Sequence, residues 1–167
     1  MSAVYDTATK QAQLIAEARA WLDTPFAAHA CIRGAGVDCV HLWAAIYIAT
    51  GAVERFNPPK YKLDGGQHST RSIIVDYLEQ CGRFEKLALD PRPSTFDSLL
   101  PGDLLCFEFT SVAWHVGGFI GGLNHTFIHC VEKLGVVESM LTERKWSRLL
   151  GAVYRPSTLN PQPSTRS

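Results

Sequence analysis

The sequence predicts an α+β domain, with helices in the first half of the chain and antiparallel strands in the second. Three segments of the first half carry apolar residues at helical spacing, and five short segments of the second half are rich in β-branched and aromatic residues. Turn residues separate these five segments, as in an antiparallel meander. Helices followed by strands along one chain are typical of this fold class.

The first predicted helix, residues 7–22, places its apolar side chains on one stripe. It ends at an Asp-Thr-Pro sequence, because the residue before a proline avoids the helical region. The second, residues 38–50, is apolar almost all round, which predicts a buried central helix with Asp38 as its N-cap. The third covers residues 69–81. Residues 26–37, between the first two helices, are predicted to form a loop.

The predicted strands are separated by turn residues, and they cover residues 103–109, 114–121, 125–131, 135–140 and 149–156. Neither an internal repeat nor a domain linker interrupts the chain. A length of 167 residues suits one globular domain. We therefore expect a single domain over residues 1–156, followed by a proline-rich disordered tail at residues 157–167.

The charge balance argues against two classes of partner. Sixteen basic and sixteen acidic residues cancel, which leaves no electrostatic pattern for binding nucleic acid or an anionic membrane.

No stretch is apolar enough to span a bilayer, and the first twenty residues lack the pattern of a signal peptide. The sequence therefore predicts synthesis in the cytoplasm and no membrane insertion. A role in a virion or at the cell wall would need another delivery route.

The five cysteines are expected to be free thiols. Their number is odd, their spacing is irregular, and no CxxC pair occurs among Cys31, Cys39, Cys81, Cys106 and Cys130. Most of them should act as small buried hydrophobic residues.

Cys39 differs from the other cysteines because it opens the predicted central helix. Backbone N–H groups and the positive end of the helix dipole favour a thiolate there, and thiol pKa values fall to roughly 3.5–7.5 in such surroundings. The same N–H groups suit the oxyanion of a tetrahedral intermediate. Taken alone, a cysteine at such a position is more often a structural residue than a nucleophile.

A nucleophilic thiol needs a base, and His115 is the favoured candidate among six histidines. It starts a β-rich segment, and His129 falls on what is predicted to be the adjacent strand. Because antiparallel neighbours lie about 4.8 Å apart, one ring can hold the other in the required tautomer. His41 is a poor partner, since it lies two residues beyond Cys39 on a helix. Two histidines that only decorate a strand are an equally good interpretation of the pair alone.

A metal site is the alternative use of the later histidines. Its ligands would be His125, His129 and Cys130, completed by Cys31 or Cys106. The H-x-x-x-H spacing suits zinc on a helix, however, whereas this segment has the pattern of a strand. No paired spacing supplies the remaining ligands, so the sequence favours a site without a metal.

Six motifs occur in order over residues 14–156: WLDTPF (21–26), GAGVDCVHLWAAIY (34–47), LLPGDLLCFEF (99–109), WHVGGFIGG (114–122), FIHCV (127–131) and AVYRP (152–156). Together they resemble the NlpC family of papain-like cysteine peptidases, especially the variant found in phage tail and prophage cell-wall peptidases. Each motif alone is weak, and it is their combination in this order that is specific.

The resemblance implies a papain-like fold, in which N-terminal helices, one carrying the cysteine, pack on a C-terminal antiparallel sheet that carries the histidine. It implies that Cys39 is the nucleophile, that His115 is the general base and then acid, and that His129 orients His115. The family typically hydrolyses amide bonds in peptidoglycan stem peptides, often between D-glutamate and a diamino acid. A peptidoglycan peptide is therefore the expected substrate, phage tail proteins are candidate partners, and no metal or organic cofactor is expected.

Three positions depart from the family's pattern. Phe26 replaces a tyrosine whose hydroxyl helps around the oxyanion and the substrate. Val40 replaces a serine that, with Asp38, holds a free substrate amine. His41 replaces a small residue and would narrow the cleft.

Two alternatives to the peptidase hypothesis remain open, and Phe26 and Val40 motivate the first. One is a structural phage tail component with the same fold and little activity. The other is a cytosolic thiol amidase that acts on an amide outside peptidoglycan with the same three residues.

Overall fold

The fold was determined from a computed structural model of the chain, which describes residues 3–58, 72–89, 93–109 and 113–158, without the side chains of 93–95, 113 and 114. Within these residues no helix combines the length and apolar character that crossing a membrane requires. Residues 69–71 of the third predicted helix and 159–167 of the predicted tail lie outside the described residues. Ser157, at the start of that tail segment, forms an isolated bridge with Ala3.

The helices of the described residues are α1 (Ala8–Arg19), α2 (Cys39–Ala49), α3 (Ile73–Gln80) and α4 (Arg144–Leu149), and a 3₁₀ turn covers Pro93–Ser98. Side-chain oxygens cap the first three helices by accepting a first-turn N–H. The caps are Thr7, Asp38 and Ser72. The central helix and its cap are thus confirmed, because both follow from local chemistry.

The strands of the described residues are β1 (Cys31–Ile32), β2 (Gly36–Val37), β3 (Phe84–Lys86), β4 (Leu104–Glu108), β5 (Ala113–Gly121), β6 (Thr126–Val131), β7 (Gly135–Met140) and β8 (Leu150–Pro156). Strands β1 and β2 form a small hairpin. The other six form one antiparallel sheet in the order β3-β8-β4-β5-β6-β7. The chain therefore has the predicted α+β class, with β5 inside the sheet.

Three features of the sheet differ from the predictions. The loop predicted at residues 26–37 contains the hairpin of β1 and β2. Strand β3 was not predicted, and it lies at the edge of the sheet beside β8. Strand β8 does not continue the meander after β7. It pairs with β4, because α4 packs against β4 and returns the chain to that side of the sheet.

The sheet buries a different apolar cluster on each face. On one face, α1, α2 and α3 pack on a cluster that includes Leu42, Trp43, Val116 and Ile128. On the other face, Trp146 of α4 packs with Phe107 and Phe127. Because side chains alternate along a strand, neighbouring residues of β5 and β6 belong to different clusters.

Glycine in β5 lets α2 lie close to the sheet. A Cβ atom at Gly118 would fall 2.0 Å from the ring of Trp43. The indole cannot move away freely, since its Nε1 donates a hydrogen bond of 2.9 Å to the backbone carbonyl of Ile128 on β6. Tyr47, one turn further along α2, donates a second bond of 2.8 Å to the Gly102 carbonyl. These contacts fix α2, and with it the position of Cys39.

Gly118→Ala is expected to lower the free energy of unfolding by about 3 kcal/mol, because the new methyl group overlaps an indole that is held by its own hydrogen bond. Urea unfolding measures the change. Gly51→Ala is the control, since its methyl group enters open space and adds only the strain of a positive φ, about 1 kcal/mol. Equal losses in the two variants would contradict the close packing of Trp43 on Gly118.

Candidate active site

Asp38 and Cys39 form the start of α2. The carboxylate of Asp38 is fully buried and accepts the backbone N–H of His41 at 2.8 Å, which caps the helix. It also accepts the backbone N–H of His29 at 2.7 Å, and Nδ1 of His41 lies 2.9 Å from both of its oxygens. Asp38 therefore ties the segment before β1 to the first turn of α2, beside the candidate nucleophile.

The sulfur of Cys39 lies beside the peptide group that joins His115 to Val116. Cys39 is only 7% exposed, and its sulfur lies near the backbone N–H groups of Val116, Cys39 and Val40, which favour the thiolate. Pairing between β5 and β6 begins one residue later, at Gly117 and His129. The sulfur thus contacts the segment of β5 that precedes its pairing with β6.

Burial raises the pKa of Cys39 to about 12, and the nearby Asp38 carboxylate adds to the increase. The three backbone N–H groups lower it by less. The expectation of a lowered thiol pKa was therefore wrong, because loss of solvation outweighs the helix N-terminus at this site. The resting group is a neutral thiol.

His115 and His129 meet as the strand pattern predicted. Nε2 of His115 lies 2.8 Å from Nδ1 of His129, and Nε2 of His129 lies 2.9 Å from the Ser139 hydroxyl. The three side chains come from β5, β6 and β7, and His129 is fully buried. Nε2 of His115 is thus engaged with His129, and Nδ1 is the ring nitrogen of His115 that does not bond to His129.

Trp146 covers the histidine pair. Its ring lies 4.7 Å from the His129 ring in an edge-on contact and 6.0 Å from the His115 ring in a stacked one. Neither Trp146 nor Ser139 was predicted from the sequence. The pairing of β6 with β7 places Ser139 opposite Phe127, on the face of the sheet that His129 shares, but that register had no local signal.

Both histidines are neutral at pH 7. Burial lowers the pKa of His115 to about 4, with a smaller contribution from Lys145. Burial lowers the pKa of His129 to about 3, and His115 and Lys145 lower it further. A neutral pair needs one proton between the rings. With that proton on His115 Nε2, donated to His129 Nδ1, Nδ1 of His115 carries a lone pair and can act as a base.

Cys39 and His115 are adjacent through the backbone rather than through a hydrogen bond. Across the parts of the chain that the structure describes, no hydrogen bond joins the Cys39 sulfur to the His115 ring. The thiol belongs to the cluster under α2, whereas the His115 ring packs with Phe107 and Trp146 on the other face of the sheet. The sulfur contacts the backbone of β5 between these two faces. Catalytic hydrogen bonds are often long before substrate binds.

The remaining predicted residues surround the start of α2. Phe26 is half-buried against the core and bridges to Val37 of β2. Val40 and Val116 line an apolar groove of about 440 Å³, open to solvent, together with Trp43, Tyr47, Phe56 and Tyr77. His41 is bound to Asp38, as described above.

The structure does not bring together the residues of the alternative metal site. His129 bonds to His115 and Ser139, whereas the Cys130 thiol donates to the Val37 carbonyl on the other face of the sheet. His125 stacks on Phe119. Among the described residues, the one group with metal-ligand spacing is a different one, His29, Asp38 and His41.

Comparison with known proteins supports the fold. The sequence matches no model of a known protein family and no curated protein. Similar solved structures include an NLP/P60-family, lipoprotein-like protein from Staphylococcus aureus, with a TM-score of 0.62 and 18% identity over 95% of this chain and 45% of that one. A second is the NlpC/p60 domain of the peptidoglycan hydrolase SagA, with a TM-score of 0.53 and 17% identity over 89% of this chain and 98% of that domain.

A third similar structure is an NlpC/P60 family protein from Bacillus cereus, with a TM-score of 0.56 and 18% identity over 86% of this chain and 39% of that one. This chain spans less than half the length of the Staphylococcus and Bacillus proteins. It has the papain-like fold of NlpC/P60 domains, and the resemblance noted from the motifs is confirmed at the level of fold.

Alkylation of Cys39 by iodoacetamide is expected to accelerate steadily up to about pH 10, because the thiolate fraction keeps growing below a pKa of about 12. Mass spectrometry of the peptides separates Cys39 from the exposed Cys31, and glutathione supplies the rate of a free thiol. A plateau in the alkylation rate of Cys39 below pH 8 would mean that a thiolate already exists in the resting protein. It would contradict a neutral Cys39 thiol.

Proposed function

We propose that this protein is a thiol hydrolase that cleaves amide bonds in the stem peptides of bacterial peptidoglycan. The observation that carries the proposal is the position of the Cys39 sulfur at the His115–Val116 peptide, together with the hydrogen bond between His115 and His129. The structural neighbour named as a peptidoglycan hydrolase supports the substrate class.

In the proposed reaction, Nδ1 of His115 takes the thiol proton while the Cys39 sulfur attacks the amide carbonyl. The transfer creates opposite charges from two neutral groups, and the attraction between these charges at short range offsets part of its free-energy cost. The N–H groups at the start of α2 stabilise the oxyanion. The imidazolium then protonates the leaving amine as the C–N bond breaks, and water releases the acyl group by the reverse proton transfers.

His129 would act by positioning rather than by taking the proton. It accepts from Nε2 of His115, which keeps the lone pair on Nδ1, and its own Nε2–H donates to Ser139. Trp146 keeps water from this hydrogen bond. In this proposal the indole and the serine hydroxyl complete the catalytic set of Cys39, His115 and His129.

Four residues near the start of α2 are proposed to contact substrate: Phe26, Asp38, Val40 and His41. Phe26 and Val40 add no hydroxyl, so recognition there is apolar, in keeping with the groove that Val40 lines. Asp38 is fully buried, so it would act on a substrate amine through His41, whose ring it holds. A phage or prophage origin, with phage tail proteins as partners and delivery to the cell wall, is part of the proposal and rests on the motif resemblance.

The deep burial of Cys39 favours a second candidate function. A thiol that is 7% exposed, with a pKa of about 12, suits a phage tail component that keeps the fold with little activity. Product analysis separates the two candidates, and a panel of amides outside peptidoglycan tests whether the same three residues serve another substrate.

Purified protein is expected to release new amines from peptidoglycan fragments, and Cys39→Ala should lower the rate by a factor of about 10³ or more, since the acyl-enzyme cannot form. The measurement is amine labelling of the products followed by mass spectrometry. His115→Ala should cause a similar loss.

Cys130→Ser is the matched control for this experiment. Cys130 is also a buried cysteine on the α2 face of the sheet, and serine keeps the hydrogen bond to the Val37 carbonyl. The control should retain most of the activity. Cleavage that survives Cys39→Ala would remove this thiol from the mechanism, and absence of cleavage by a folded wild-type protein would favour the tail component.

A further inference from the structure

The side chains of His29, Asp38 and His41 form a compact group at the first turn of α2. One possible ligand atom from each residue lies within 4.8 Å of the other two. The two imidazole rings are nearly perpendicular, with their centroids 6.1 Å apart. We propose that this group is a binding site for a divalent transition-metal ion of the zinc type.

The backbone holds all three residues in place without a metal. His29 adopts the left-handed conformation, with φ of 59°, and its N–H donates to one oxygen of Asp38. The N–H of His41 donates to the other oxygen. One buried carboxylate thus fixes the backbone of both histidines, and this lowers the entropic cost of bringing the ligands together.

The ligand set matches the chemistry of zinc. Two imidazoles and one carboxylate suit zinc and the late first-row metals, whereas calcium and magnesium prefer oxygen ligands. Zinc binds nitrogen and oxygen at about 2.0–2.2 Å, so ligand atoms around one ion lie about 3–4 Å apart. The ligand atoms lie within 4.8 Å of one another, so zinc binding would draw the exposed His29 ring closer to the other two residues.

Asp38 and His41 already interact in a way that a metal can use. Nδ1 of His41 lies 2.9 Å from both carboxylate oxygens, and one proton occupies that contact. Zinc either binds Nδ1 once the ring proton has moved to Nε2, or binds Nε2 while Asp38 orients the ring from Nδ1. Both geometries use the same three residues and leave coordination positions open to water.

This inference deepens the proposed function and rests on it for its effect on catalysis. Asp38 precedes Cys39, and Asp38 and His41 belong to the proposed substrate contacts. Bound zinc would occupy these groups and so act as an inhibitor that competes with a substrate amine. Binding itself needs only the three side chains.

The test is a calorimetric titration of zinc chloride into the full chain carrying Cys39→Ala, so that the candidate catalytic thiol cannot bind the metal. One site per chain is expected, and adding His29→Gly should weaken it by about tenfold or more. Glycine suits the positive φ and keeps the N–H that Asp38 accepts. Circular dichroism checks that the variant is folded.

His125→Gly is the matched control, because His125 is also left-handed, with φ of 50°, and lies outside the proposed site. It should bind zinc as tightly as the parent. Equal affinity of His29→Gly and its parent, or no zinc binding at micromolar concentration, would overturn the proposal. Cobalt substitution adds a second measurement, since a strong ultraviolet thiolate band would place the metal on a cysteine and also overturn it.

Activity separates this inference from the proposed function. With an active enzyme that retains Cys39, zinc should raise KM for peptidoglycan fragments, and His29→Gly should retain basal hydrolysis and resist the inhibition. If zinc binds through His29 but the protein hydrolyses nothing, the metal site stands and the proposed function fails. Inhibition of wild type and His29→Gly at the same zinc concentration would overturn the inhibitory role.

Discussion

The contact of Trp43 with Gly118 determines where the rest of the site lies. Only a glycine on β5 admits the indole at this distance, and the bond from Trp43 to Ile128 fixes α2 against two strands at once. The helix N-terminus then lies where β5 has not yet paired with β6. The Cys39 sulfur reaches the His115–Val116 peptide for this reason, and a helix held further away would lose that contact.

Hydrophobic packing and polar chemistry oppose each other at this position. Burial keeps Cys39, His115 and His129 neutral, with a raised pKa for the thiol and lowered pKa values for the imidazoles. The same burial strengthens the hydrogen bonds among His115, His129 and Ser139, because water does not compete for them. In the proposed mechanism, charge develops only as the sulfur attacks, and nearby N–H groups then stabilise the developing negative charge.

Local chemistry determined which features the sequence could predict. The cap at Asp38 and the apolar character of α2 are both visible in a dozen residues, and both are confirmed. Strand β3 has three residues and α4 has six, with no side-chain cap hydrogen bond on α4, so neither carried a readable pattern. Missing α4 also meant missing Trp146 and the return of β8 to β4.

The candidate site also combines features that depend on local sequence with features that depend on the whole fold. The meeting of His115 with His129 followed from two strands that are neighbours in sequence, which makes their pairing close to a local property. The pKa of Cys39 depends on everything that surrounds the thiol, and a helix N-terminus considered alone gave the wrong direction. The grouping of His29 with Asp38 and His41 depends on a left-handed residue and a short hairpin that the sequence did not reveal.

The role of His115 as the base can be tested by NMR. The measurement is the ring-nitrogen chemical shifts of His115 and His129 in the resting protein at pH 7. We expect a neutral His115 ring that carries its proton on Nε2, toward His129, and a lone pair on Nδ1. A proton on Nδ1, or an imidazolium that carries both, would contradict it, because no lone pair would then remain to take the thiol proton.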